Sequence, residues 1–235
     1  ICSQRSLEFE RSLGMEEMRL ADERLNVLEH PLIAHKISIM RDASTAPSQF
    51  RQLAHEVAML EVYEASRDLP TEPVEVDTPL QRTVGKRIAG EKLAVVPILR
   101  AGMGMLDGVL SAIPSAAVGV LGMERDEQTH QPREYYAKMP RGIADRTVFL
   151  IDPMLATGGS ALSAIHYLRE QGVCDIRFLA LVAAPEGVRA VFHRVEQDPH
   201  RIGGAADPGK ILPHCAAEDD IGRLNHNIAP FLHQL

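Results

Sequence analysis

Small residues and two hydroxyl groups follow an acidic residue in the second half of the chain, and together they suit an anion. Asp152 comes directly after the apolar run 148–151, and the segment 157–160 (Thr-Gly-Gly-Ser) opens a helical pattern. Glycines let the backbone approach a phosphate, and free N–H groups at a helix N-terminus point at it with the positive end of the dipole behind them. The hydroxyls of Thr157 and Ser160 add donors. The spacing matches neither a Walker A loop nor G-x-G-x-x-G, so the segment predicts a phosphate site of another kind.

Two arginines end other predicted strands. Arg100 follows the apolar run 93–99 and precedes two glycines, and Arg125 closes a third strand. A guanidinium group binds phosphate bidentately. Because parallel strands bring the loops at their carboxyl ends to one edge of a sheet, we interpret Arg100, Arg125 and Asp152 as the candidate catalytic residues. For Arg125, a solvated position at the start of a charged loop is an equally good interpretation.

The elements that must position these residues alternate between strands and helices. Apolar runs predict strands, and apolar residues at helical spacing predict helices between them. The predicted strands are 93–99, 117–121, 148–151 and 177–184. This order predicts an α/β fold with a doubly wound, mostly parallel sheet. The polar stretch 126–146 predicts a projecting hairpin arm.

The texture of the sequence divides the chain into three parts. Residues 1–29 are predicted to form an N-terminal extension, 30–190 the main domain, and 191–235 a divergent C-terminal segment with little periodicity. Within the main domain, the prolines between residues 70 and 79 predict an irregular crossing.

Composition limits the partners. The 235 residues carry a formal net charge of −7, which argues against nucleic-acid binding. A polyanionic substrate must therefore be held locally, by arginines, helix N-termini and a metal ion. The three cysteines show no metal-ligand spacing and suit a reducing cytosol. We expect a cytoplasmic protein with no membrane span and no metal site built from side chains alone.

Two phosphate-binding loops with a carboxylate between them fit a ligand that has separated phosphates and a diol, which is the shape of phosphoribosyl pyrophosphate. At the residues that form these loops the chain resembles the uracil phosphoribosyltransferases. The resemblance lies in PILRAGMG and GMER, in IDPMLATGGS and LVAAPEGV, and in an N-terminal block over 30–65. General phosphoribosyltransferases carry a second acid after the first one, and Pro153 stands in its place here, as is usual in the uracil branch.

The resemblance implies the type I phosphoribosyltransferase fold and the transfer of a phosphoribosyl group to uracil, giving UMP and pyrophosphate. It also implies Mg²⁺ on the pyrophosphate and a homodimer or higher oligomer that uses the arm at 126–146. Because some relatives are activated by GTP, GTP is a candidate effector. The residues implied to bind phosphoribosyl pyrophosphate are Arg100, Arg125, Asp152, Pro153, Met154, Leu155, Ala156, Thr157, Gly158, Gly159 and Ser160.

The chain departs from the family near its C-terminus. The family binds uracil through a run of the form Tyr-Ile-x-Pro-Gly-x-Gly-Asp-x-Gly-Asp, and residues 191–235 do not match it. The uracil-binding residues are therefore unassigned. Two alternatives to uracil transfer stay open: a nucleotide-sensing or regulatory protein that keeps the phosphate site, and a transferase that uses another base.

Overall fold

The computed structural model describes residues 25–125, 132–196 and 211–215. The helices are α1 (Pro31–Arg41), α2 (Pro47–Ala65), α3 (Met103–Ala112), α4 (Gly159–Glu170) and α5 (Pro185–Glu196). The strands are β1 (Thr71–Asp77), β2 (Arg82–Ile88), β3 (Leu93–Leu99), β4 (Ala117–Val118), β5 (Val120–Arg125), β6 (Pro132–Lys138), β7 (Thr147–Ile151), β8 (Met154–Leu155), β9 (Asp175–Ala183) and β10 (Ile211–Cys215).

The central sheet has the strand order β10-β9-β7-β3-β5-β6. Every neighbouring pair along this path is parallel except β5 and β6. The short strands β4 and β8 pair with β3 and β9. These pairings confirm the predicted α/β fold with a mostly parallel sheet.

Helices cover both faces of this sheet. Val95 and Phe149 pack in one apolar cluster with α1, α2 and α3, whereas Val96 and Leu150 pack in a second cluster with α4 and α5. Successive residues of a strand point to opposite faces, so both faces of β3 and β7 require apolar side chains. The continuous apolar runs in the sequence follow from this two-sided burial.

Residues 71–88 form a hairpin that is separate from the central sheet. Strands β1 and β2 pair antiparallel as a separate two-stranded sheet. Ion pairs cross between the strands, from Arg87 to Glu72 at 2.7 Å and from Arg82 to Asp77 at 2.9 Å. The predicted irregular crossing at 70–79 was wrong, because a mostly exposed strand needs few apolar residues and Pro73 is tolerated in a two-stranded sheet, which has only edge strands.

Two further elements bear on the predicted arm and on the predicted C-terminal boundary. Strands β5 and β6 pair antiparallel at the edge of the central sheet, which agrees with the predicted hairpin; residues 126–131 between them lie outside the described part of the chain. Helix α5 runs across residue 190, and β10 extends the sheet beside β9. The predicted boundary at 190 thus falls inside a helix.

Candidate functional site

The strand order changes direction at the centre of the sheet, between β3 and β7. Strand β3 connects through α3 toward β5 on one side, and β7 connects through α4 to β9 on the other. At such a switch point the two connections leave in opposite directions and a crevice opens at the carboxyl ends of the strands. Asp152 follows β7 here and Arg100 follows β3, so both candidates lie at the edge of this crevice.

The loop after β3 packs closely against the end of β7. A Cβ placed on Gly102 would lie 2.5 Å from the backbone oxygen of Ile151 and 2.8 Å from the backbone nitrogen and oxygen of Ile98. Only a glycine fits at this distance. The close approach brings the segment that carries Arg100 next to the segment that carries Asp152.

The segment that follows Asp152 is fixed along β9 by backbone hydrogen bonds. The N–H of Asp152 donates to Leu179 at 3.1 Å, and the N–H of Ala184 donates to Leu155 at 2.8 Å. A Cβ on Gly187, in the first turn of α5, would lie 2.4 Å from the backbone oxygen of Ala156. Residues 153–160, the candidate phosphate loop, are therefore supported from beneath by β9 and α5.

Helix α4 begins at the glycine pair. Gly158 is its N-cap with φ +82°, a conformation that glycine adopts without strain, and no side chain caps the first turn. Thr157 is exposed, and Ser160 is half-buried in that turn. The first N–H groups and the hydroxyls at this end of the helix can donate to an anion, which is the arrangement that the sequence predicts.

Burial raises the pKa of Asp152 to about 7, and a hydrogen bond from the backbone N–H of Met154 opposes the shift. The side chain is nevertheless partly accessible at the edge of the sheet. In the ligand-free protein this carboxyl group is thus shared between its protonated and ionised forms near neutral pH. Ligand hydroxyls that donate to it, or a cation beside it, favour the ionised form.

Arg100 is exposed immediately after β3, and within the described residues its side chain makes no hydrogen bond or ion pair. The peptide bond between Leu99 and Arg100 is cis. Arg125 is the last residue of β5, three positions beyond Gly122, which pairs with Leu99; its side chain lies outside the described part. The fold brings together Arg100, Asp152 and the loop 153–160, and it brings the backbone of Arg125 to the same edge.

Two glycines shape this site: the sequence marks Gly102 as part of the loop beside Arg100, but it gives no role to Gly187. Gly102 and Gly187 let one backbone approach another, at the loop after β3 and beneath the phosphate loop. A glycine near the start of a helix that follows an apolar strand is a weak signal, because most such glycines mark only a turn. The partner backbone, which makes glycine necessary, is not visible in the sequence.

Asp152 is the carboxylate that a metal could use here. Among the described residues, no three or more His, Cys, Asp or Glu side chains are grouped to hold a metal ion. Mg²⁺ commonly takes only one or two protein carboxylates and completes its shell with water and substrate phosphates. The donor set fits a magnesium ion that arrives with a phosphorylated substrate.

Comparison with known proteins gives a consistent result. The model of the uracil phosphoribosyltransferase family matches residues 27–202. The uracil phosphoribosyltransferase of Streptococcus suis is 55% identical over 177 residues, which cover 75% of this chain and 82% of that protein. That of Lactobacillus delbrueckii subsp. bulgaricus is 52% identical over 194 residues, 81% of this chain and 90% of that protein.

A solved structure has a similar fold. The AQ2163 protein from Aquifex aeolicus superposes with a TM-score of 0.72 at 31% identity, covering 81% of this chain and 86% of that chain. No helix in the described residues is both long and apolar enough to cross a membrane. Because the family model matches more than half of the chain, and relatives above 50% identity cover most of it, the chain belongs to the uracil phosphoribosyltransferase family.

Proposed function

We propose that this protein transfers the phosphoribosyl group of phosphoribosyl pyrophosphate to uracil, releasing UMP and pyrophosphate. The observation that carries the proposal is the meeting of the phosphate loop, Asp152 and Arg100 at the switch point of the sheet. Family membership supports the reaction, and the geometry supports the roles that we assign to the residues.

The loop at the start of α4 binds the 5′-phosphate. The first N–H groups of α4 and the hydroxyls of Thr157 and Ser160 donate to its oxygens. Asp152, which precedes this loop in the same segment, accepts hydrogen bonds from the ribose hydroxyls. Arg100, on the neighbouring strand end, binds the pyrophosphate, and Arg125 reaches the same group from β5.

In the reaction, N1 of uracil forms a bond to the anomeric carbon of the ribose while the bond from that carbon to pyrophosphate breaks. The electron pair of the broken bond leaves with pyrophosphate, and the N1 proton passes to solvent. Negative charge grows on the leaving group, so fixed guanidinium groups stabilise the transition state more than the bound substrate.

Magnesium, when bound with the substrate, neutralises pyrophosphate charge and strengthens it as a leaving group. In this chain the carboxylate of Asp152 is the group that would hold the ion, either directly or through a water molecule. The loop 153–158, fixed on β9 and α5, keeps that carboxylate in place.

The direct test is an assay of the purified chain with uracil, phosphoribosyl pyrophosphate and Mg²⁺. We expect UMP, separated by chromatography, in equal amount to the pyrophosphate released. Asp152→Asn should lower the rate, while Asp145→Asn, in an exposed turn before β7, should not. An absence of UMP from a folded protein that binds phosphoribosyl pyrophosphate would contradict the proposal.

A second candidate function deserves a test because the family match ends at residue 202 and the uracil-binding run of the family is not present in 203–235. In this second function, the protein uses another base as the acceptor or binds nucleotides without turnover. A panel of cytosine, hypoxanthine, guanine and orotate, assayed for pyrophosphate release, distinguishes these outcomes. Release with one of them and not with uracil identifies a different acceptor.

The remaining partners are also part of the proposal. We expect a homodimer or higher oligomer, GTP as an effector of the rate, and a cytosolic location. The resemblance places the contact between subunits at 126–146, and we propose the hairpin of β1 and β2 as a further contact, where Leu80 at the tip is 95% exposed. Assaying the rate with and without GTP tests the effector.

A further inference from the structure

The hairpin of β5 and β6 is irregular beside the candidate site. The register between its strands shifts between Gly122 and Met123. Tyr136 pairs with Gly122 and Glu134 pairs with Met123, so Tyr135 is the extra residue of a β-bulge. A bulge bends the strand and redirects its side chains, and bulges are frequent next to active sites.

The ring of Tyr135 lies directly over the backbone of Gly122. A Cβ placed on Gly122 would meet three ring carbons of Tyr135, at 2.6, 2.9 and 2.9 Å. Gly122 has no positive φ, so the ring, rather than the backbone conformation, requires a glycine here. Gly122 is buried, although Tyr135 itself is 50% exposed.

This contact lies at the edge of the sheet that carries the site. Gly122 pairs with Leu99, the last residue of β3, and Arg100 follows at once. Arg125 is three residues beyond Gly122 on β5. The ring therefore packs on β5 at the point where β5 pairs with β3, three residues before Arg125.

We propose that Tyr135 is a positioning residue for phosphoribosyl pyrophosphate. Its ring, packed on Gly122, sets the direction of the β5–β6 hairpin and thereby holds the backbone of Arg125 at the edge of the sheet that carries Arg100. A glycine in a strand leaves packing incomplete, and an aromatic ring from the neighbouring strand restores it. The inference rests on the proposed function, because it needs phosphoribosyl pyrophosphate as the ligand.

The first test compares two neighbouring tyrosines. Tyr135→Ala should weaken the binding of Mg²⁺–phosphoribosyl pyrophosphate about tenfold by calorimetry, because the strand that carries Arg125 would lose its fixed direction. The melting temperature and the KM for uracil should stay unchanged, and Tyr135→Phe should bind within twofold of the parent. Tyr136→Ala is the matched control, since Tyr136 is 45% exposed on the same strand, and it should also bind within twofold.

The second test asks whether the effect passes through the arginine. In an Arg125→Ala background, Tyr135→Ala should cause no further loss of affinity. Gly122→Ala adds a methyl group that displaces the ring. It should reproduce the loss seen with Tyr135→Ala, although Tyr135 and Arg125 are both kept. It also serves if Tyr135→Ala does not fold.

The outcomes separate the two proposals. Parent protein that makes UMP while Tyr135→Ala and Gly122→Ala bind phosphoribosyl pyrophosphate normally overturns the positioning role alone. The same holds if Tyr135→Ala weakens the Arg125→Ala variant by the full factor. Parent protein that does not bind phosphoribosyl pyrophosphate overturns the proposed function, and the positioning role with it.

Discussion

Asp152 and Glu61 are both acids whose pKa the fold raises, yet their surroundings differ. Asp152 is partly accessible at the sheet edge, where its pKa is raised to about 7. Glu61 lies fully buried in α2, where burial alone raises its pKa well above the usual value. Neither carboxylate oxygen of Glu61 has a hydrogen-bond partner in the described structure. One acid is therefore available to a ligand, and the other is a cost to the fold.

The substitution Asp152→Asn should weaken phosphoribosyl pyrophosphate binding and stabilise the free protein. Loss of charge-assisted hydrogen bonds predicts about 10- to 100-fold weaker binding. Because the folded pKa lies above the unfolded one, the stability that the protonated Asp152 contributes is present below pH ~4 and is lost as pH rises toward ~7. Calorimetric affinity, and melting temperatures at pH 5 and pH 8, check both halves; the stability gain of the variant should be larger at pH 8 than at pH 5.

Replacing Glu61 should stabilise the protein without affecting the site. Glu61→Leu removes an unpaired buried acid and should raise the free energy of unfolding by roughly 1–4 kcal/mol at pH 7. Stability tied to the protonated Glu61 is lost as pH rises above ~4.5, so the parent should become less stable with pH over a range where the variant does not. Urea unfolding at several pH values measures this.

Glu61→Gln is the matched control for that series. It keeps a polar group in the core but cannot ionise, so it should flatten the pH dependence with a smaller gain in stability than leucine. A parent protein whose stability does not change between pH 5 and pH 8 relative to both variants would show that Glu61 finds a partner in solution.

At the scale of elements, the sequence predicts the strands that are buried on both faces and misses the strands that are largely exposed. The run 93–99 coincides with β3, and 148–151 lies within β7, because a strand between two helical layers must be apolar throughout. The phosphate loop was readable because its small residues, hydroxyls and acid are local. The hairpin 71–88 was not, since its strands carry charges on both faces and are held by cross-strand ion pairs. Supports such as Gly187, whose partner lies about thirty residues away, leave no local pattern.

The support of the phosphate loop by α5 can be tested at Gly187. The Cβ of Gly187→Ala would lie 2.4 Å from the backbone oxygen of Ala156, so the loop must move. We expect about tenfold weaker binding of phosphoribosyl pyrophosphate, equivalent to ~1.4 kcal/mol. The control is Gly90→Ala, where φ is +75° and nothing lies within 4 Å of the new Cβ. It should cost ~1–2 kcal/mol of stability and leave binding unchanged. Equal affinity in both variants would show that α5 does not fix the loop.

At the scale of the whole molecule, the site depends on loops that four different strands deliver to one edge. Strands β3, β5, β7 and β9 contribute the loop with Arg100, the hairpin with Arg125, the proposed phosphate loop and the support beneath it. The hairpin of β1 and β2 contributes to none of these, and it projects from a sheet to which it is not hydrogen-bonded. An isolated two-stranded hairpin is marginally stable in water, so this one gains from a partner surface.

We therefore expect the protein to associate through that hairpin. Leu80 is 95% exposed at its tip and Val84 is 68% exposed on β2, so both apolar side chains are open to a partner. Light scattering at micromolar concentration should give at least twice the mass of one chain. Leu80→Glu should shift the equilibrium toward the monomer, whereas Leu32→Glu, which replaces an exposed leucine of α1 (46%), should not. A parent protein that stays monomeric at these concentrations would rule out the hairpin as the contact. An equal shift in both variants would also rule it out, because the change would then follow from added charge alone.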